Sequence, residues 1–237
     1  MTSSPALKSK AWARALIGLI GVGLFCSSAT AQAPWPSEAP DEWGLAIIDV
    51  ETTGLDPQYH EMIDLGAIYT TPDGEELGRF FVRIHPTYPA RASSVARSIN
   101  GYDEERWERL GALPPNQAFD QFMAFHEQHA ADRRFLLTAY NASFDRNFLQ
   151  AFLQRHNQAF SNLYAYFVLD LPSMAWGLGV DALGGAEVAE AFGLPPETSD
   201  PMKHTGLSGA EWNLALYRAM RARAAANGRQ SDVEPSD

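Results

Sequence analysis

An apolar run, Trp43-Gly44-Leu45-Ala46-Ile47-Ile48, leads directly into Asp49-Val50-Glu51-Thr52-Thr53-Gly54-Leu55. The β-branched content and the absence of a helical period read as a buried strand over 43–50, closed by a Thr-Thr-Gly turn. Alternate residues of a strand point to one face, so Asp49 and Glu51 project side by side while Val50 faces the other way. Two carboxylates a few ångströms apart do not both stay charged cheaply without a cation between them. Hard oxygen ligands in such a place suit Mg²⁺ or Mn²⁺. An isolated Asp-x-Glu is also common as a solvated strand end, so the choice falls to the segments that follow.

Further apolar runs at 62–70 and 78–84, separated by Pro72-Asp73-Gly74, make a meander with the first strand. Helical patterns follow at 93–99, 103–110 and 116–129, the last with Phe119, Phe122, Met123 and His126 on one stripe. A strand at 135–139 leads to a helix over 141–156 that Asn141 can cap, and a fifth strand covers 165–169. A last helix is expected over 208–226, ended by Asn227-Gly228. Asp170 reads as the cap of a helix entered through Pro172. His126 and His129 sit on a helix with one of them on the apolar stripe, which favours core packing over zinc. Trp107, Trp176 and Trp212 read as core or groove wall. Three early strands, then alternating helix and strand, imply an α/β domain: a mixed five-stranded sheet flanked by helices.

The chain divides into a signal peptide at 1–31, a leader at 32–43, the folded domain at 44–226 and a disordered tail at 227–237. Lys8, Lys10 and Arg14 precede an apolar run, and Ala29-Thr30-Ala31 supplies small residues before a cleavage point. That run is short for a bilayer span, so cleavage and export to the periplasm or medium are expected rather than a stable membrane anchor. A misassigned start on a cytoplasmic protein is the competing reading, although the next methionine, Met62, lies beyond Asp49 and Glu51. Residues 32–237 carry 15 basic and 29 acidic side chains and no cysteine. Such a domain has no disulfide and no broad basic face for duplex nucleic acid.

Asp49-Val50-Glu51-Thr52-Thr53-Gly54 resembles the first motif of the DEDDh 3′–5′ exonucleases, the proofreading-exonuclease and ribonuclease T group. Tyr140-Asn141-Ala142-Ser143-Phe144-Asp145 resembles the second, with Tyr140 where His is usual. His204-Thr205-Gly206-Leu207-Ser208-Gly209 resembles the third, with Gly209 where the family has Asp. The resemblance implies a ribonuclease H-like fold and hydrolysis of phosphodiesters at the 3′ end of single-stranded DNA, RNA or short oligonucleotides. It implies two divalent ions, Mg²⁺ or Mn²⁺, held by Asp49, Glu51 and Asp145, with His204 as general base. Thr52, Thr53, Gly54, Leu55, Asn141 and Phe144 are the corresponding substrate-binding positions. Gly209 leaves one carboxylate missing, so the alternatives are a single bound metal ion and a catalytically inactive exonuclease fold serving as a nucleic-acid-binding or protein-interaction module. Glu211, Asp200 and Glu197 are the acidic residues near enough in sequence to replace it, although Ser208 and Glu211 also form a capping-box pattern.

Overall fold

The computed structural model describes residues 35–231. Segment 1–31, with the expected export signal, lies outside the described residues. Five strands, β1 (Trp43–Thr52), β2 (Met62–Thr70), β3 (Glu76–Arg83), β4 (Arg134–Ala139) and β5 (Tyr164–Asp170), form one sheet in the order β3-β2-β1-β4-β5. The first three are antiparallel neighbours, and β4 and β5 add in parallel beside β1. The mixed sheet and its early meander are as the sequence leads one to expect. Between β3 and β4 lie α1 (Ser94–Asn100), α2 (Glu104–Arg109) and α3 (Pro115–Ala130). Then come α4 (Ala142–Arg155) and α5 (Phe160–Leu163) before β5, and α6 (Leu171–Gly177), α7 (Gly185–Ala191) and α8 (Gly206–Ser231) after it.

Strand alternation in β1 divides the core into two layers. Ala46, Ile48 and Val50 meet Phe122 of α3 and Phe148, Leu149 and Phe152 of α4. Leu45 and Ile47 meet Leu171 of α6, Val188 of α7, and Leu214 and Tyr217 of α8. Continued along the strand, that second face carries Asp49 and Glu51 to the carboxyl end of β1, under the start of α8. His126 lies in the first layer, with its Nδ1 2.8 Å from the Tyr69 hydroxyl, which also meets the Tyr164 hydroxyl at 2.7 Å. Burial pushes its imidazole down to about 4, so it is a neutral core group.

Three local expectations are corrected. Asn141 takes a left-handed backbone (φ 59°) and makes no side-chain cap, so α4 does not start on an Asn cap. Its first free N–H, that of Ala142, goes instead to Asp170 Oδ1 at 3.0 Å. Asp170 also caps α6 through the Ser173 N–H, as expected. The capping pair of α8 is Thr205 and Ser208, each hydroxyl accepting the other's N–H at 3.2 and 3.0 Å. Glu211 takes no part in it: α8 begins at Gly206, which puts Glu211 beyond the first turn, where it pairs with Arg79 at 2.7 Å. Finally, α8 continues through Asn227 and Gly228 to Ser231, since Gly228 does not adopt the positive φ of a helix-ending glycine. Helix therefore replaces the first residues of the expected tail.

The first turn of α8 crosses β1 and β2 backbone to backbone. A Cβ at Gly66 would fall 2.1 Å from the Gly206 carbonyl carbon, and one at Gly206 would fall 2.5 Å from Asp49 O and Gly66 N. No side-chain adjustment relieves a clash with backbone. Gly66→Ala should therefore lower stability by about 2–3 kcal/mol or more, a fall in Tm of roughly 5–10 °C. A thermal melt followed by circular dichroism checks it; an unchanged Tm would show that this crossing is not tightly packed.

Candidate active site

The β1–β4 ladder ends at Ile47 and Thr138, which leaves the last residues of β1 open on that edge. Asp145, in the first turn of α4 and 2% exposed, fills the gap: its Oδ1 accepts the Val50 N–H at 3.1 Å. On the other side, the cross-strand partner of Glu51 is Asp64, whose Oδ1 accepts the Gly206 N–H at 3.1 Å. Thus α4 and α8 both begin at the carboxyl end of β1, where open α/β sheets place their ligands. Asp49, Glu51, Asp145 and His204 line one cavity of about 510 Å³.

His204 is held from both ring nitrogens. Nδ1 lies 2.8 Å from Thr198 O, which can only accept, so Nδ1 carries a proton. Nε2 lies 2.9 Å from Glu51 Oε1. The bond to Glu51 pushes the imidazole up to about 9, against the opposing effect of burial. The neighbouring carboxylates are shifted upward. Burial raises Asp49 well above the usual range, and Asp145, Glu51, Glu197 and Asp64 add to it. Burial likewise raises Asp145, opposed by the Val50 N–H, and raises Asp64, where Glu51 adds to it. Negative charge is crowded here beyond what His204 neutralises, and a divalent cation would relieve it. The donor set fits Mg²⁺ or Mn²⁺ in chemistry. Among the described residues no three such side chains are already arranged to hold an ion. Glu51 is engaged with His204, and Asp145 with Val50 N–H.

The cavity also takes in Thr52, Gly54, Leu55 and Phe144 among the expected substrate positions. Leu55 is 82% exposed and lines the cavity beside the charged groups. Thr53 and Asn141 do not line it. Thr53 is buried, exchanging bonds with Glu61 through its N–H and Oγ1, and Asn141 is exposed, accepting from the Ser143 hydroxyl at 3.1 Å. The opposite wall is α1, with Val95, Ile99 and Asn100. Asn100 donates to Thr52 O at 3.0 Å and so fixes α1 to the first motif. The helix at α1 is as expected, but neither its place as a cavity wall nor that of Asp64 beside Glu51 follows from the sequence pattern. Asp64 becomes visible only once the β1–β2 register pairs it with Glu51.

At Gly209 a Cβ would fall 2.3 Å from Asp49 Oδ2. The Asp49 carboxylate therefore lies where a side chain at 209 would start. Of the three acidic residues that might compensate, Glu211 is half-exposed and paired with Arg79. Asp200 accepts the Met202 N–H and lies 3.3 Å from Lys203 Nζ. Glu197 alone turns toward the site, with Oε1 3.9 Å from His204 Nε2. It lines a second cavity of about 460 Å³ that shares Ile99, Tyr140 and His204 with the first. Trp212 closes part of that wall, as its groove-wall reading implies.

The family model described as Exonuclease, of the RNase T type, matches residues 46–217. Ribonuclease T of Shewanella sp. (strain W3-18-1) is 27% identical over 178 residues, spanning 72% of this chain and 78% of that protein. The PolC-type DNA polymerase III of Thermotoga petrophila is 29% identical over 109 residues, 46% of this chain but only 7% of the polymerase. Among solved structures, the zinc-bound complex of E. coli ExoI with single-stranded DNA superposes with a TM-score of 0.64 at 13% identity. That match covers 80% of this chain and 42% of ExoI. At that identity it speaks for the fold, which is the ribonuclease H-like sheet seen here.

In protein freed of metal with EDTA, His204 should stay protonated until pH about 9. A folded value above the unfolded 6.5 stabilises the protein fully below pH 6.5, and the gain is lost as pH rises through 9. Imidazole NMR should show this titration, and Glu51→Gln should bring it down by at least about one unit. A midpoint near 6.5 in the unsubstituted protein would show that the Glu51 bond does not form in solution.

Proposed function

The chain belongs to the Exonuclease family of the RNase T type, and we propose that it removes nucleotides one at a time from the 3′ end of single-stranded DNA, RNA or short oligonucleotides. The observation that carries the reading is the convergence of Asp49, Glu51, Asp145 and His204 on one cavity whose outer wall is apolar. In the reaction a water oxygen bonds to the terminal phosphorus, the bond to the preceding 3′ oxygen breaks, and a nucleoside monophosphate leaves. Two divalent cations bound by Asp49, Glu51 and Asp145 would neutralise the phosphate and make water a competent nucleophile. His204, with Nδ1–H committed to Thr198, has Nε2 as its only site for the water's proton. Nε2 would be free for that task with Glu51 engaged by a cation instead of by the imidazole.

Leu55, Phe144, Val95 and Ile99 suit the flat faces of a terminal base and its sugar. Among the described residues no lysine or arginine lines either cavity. Phosphate recognition then rests on bound cations and backbone N–H groups, which favours short strands over long ones. Gly209 favours a second reading, a catalytically inactive module that binds 3′ ends. We further propose export through segment 1–31; a fusion of residues 1–40 to a reporter active only outside the cytoplasm should be active.

Purified protein should shorten a 5′-labelled single strand one nucleotide at a time with Mn²⁺ or Mg²⁺ and not in EDTA. Asp49→Ala should reduce the rate at least about 100-fold, because it removes a direct ligand rather than an outer support. Equal product from both proteins would exclude the enzyme, and retained strand binding would then favour the inactive module.

A further inference from the structure

Position 209 has no side chain to offer, and the space in front of it holds the Asp49 carboxylate. The loop between α7 and α8 brings a different carboxylate to the same site. We propose that Glu197 takes over the lost ligand's role, binding a divalent cation together with Glu51 from a loop instead of from the last helix. The assignment rests on the exonuclease reading and names a residue of that site outside all three motifs.

Several independent features place Glu197 there. Its Oε1 is buried without a hydrogen-bond partner, although carboxylate oxygens removed from water are normally satisfied. The nearest cationic group is His204, with Nε2 at 3.9 Å, too long for a hydrogen bond and already engaged by Glu51. A cation between Glu51 and Glu197 would satisfy that oxygen. The loop is also fixed on both sides of the residue. Trp212 Nε1 donates to Pro195 O at 3.0 Å, and His204 Nδ1 donates to Thr198 O at 2.8 Å. Pro195 and Pro196 stiffen the approach. A carboxylate held in this way loses little freedom on binding an ion, which is the requirement for a ligand borne on a loop. With Glu197 the site regains four acidic side chains: Asp49, Glu51, Asp145 and Glu197. The other two acidic neighbours, Asp200 and Glu211, are already satisfied by Lys203 and Arg79.

Mn²⁺ binding to the full folded domain, measured by calorimetry and by the loss of the free-Mn²⁺ electron paramagnetic resonance signal, tests the assignment. Glu197→Gln should weaken Mn²⁺ binding at least about tenfold. Raising Mn²⁺ should recover much of its cleavage rate, as expected for a lost ligand. Glu197→Asp should keep part of the affinity, and Glu211→Gln should bind like the unsubstituted protein. In EDTA, Glu197→Gln should melt at or above the temperature of the unsubstituted protein, because it removes one of several crowded charges. Unchanged Mn²⁺ affinity in Glu197→Gln would overturn the assignment. If the unsubstituted protein still cleaves, only Glu197 is misassigned. If it neither binds Mn²⁺ nor cleaves, the exonuclease reading falls too.

Discussion

The contact between Gly66 of β2 and Gly206 at the start of α8 sets the position of everything chemical in this protein. It lets one helix begin directly on the backbone of two strands. Asp64 fixes the crossing by accepting the Gly206 N–H, so a buried carboxylate serves as the anchor of a helix whose positive end needs one. His204 lies two residues before that anchor and Gly209 three after it, so a shift of the crossing would carry both away from β1. On the other face, α4 is held in the same manner, by the bond from Val50 N–H to Asp145. The site is thus the place where two helix starts meet one strand end.

That arrangement trades stability for charge. Asp49, Asp64, Asp145 and Glu197 are all raised by burial and by the neighbouring Glu51 carboxylate, which means their ionised forms strain the fold. The single imidazolium of His204 offsets only part of this. A divalent cation bound there would therefore stabilise the site, and its affinity and the folding free energy would be linked quantities.

Much of this was legible in the residues. The period-two alternation through Ile47, Asp49 and Glu51 gave the face on which the acids lie, because a strand leaves no other choice. Asp145 and His204 stand out only through the resemblance of their segments to family motifs, since an acid or a histidine at a helix start is otherwise ordinary. What stayed hidden depends on register and on loop path. Asp64 looks like any polar residue in β2 until pairing sets it opposite Glu51. Val95 and Ile99 sit on a short helix with no motif, and the bonds from Ser93 N–H to Thr53 O and from Asn100 to Thr52 O bring them to the cavity. Thr53 and Asn141, both inside recognisable motifs, lie off the cavity, Thr53 bonded to Glu61 and Asn141 to the Ser143 hydroxyl, a placement that no spacing rule gives. The capping pair of α8 lies one turn earlier than expected because the helix begins at Gly206, where Asp64 accepts its N–H, a contact that depends on a residue distant in sequence.

The Asp49 carboxylate and a side chain at 209 compete for one volume. An acid introduced at 209 would therefore find its place only as Asp49 swung aside, so the two positions are coupled and a change at one is felt at the other. Gly209 leaves Asp49 its present position, and the placing of the first-motif carboxylate is in part a property of the last helix.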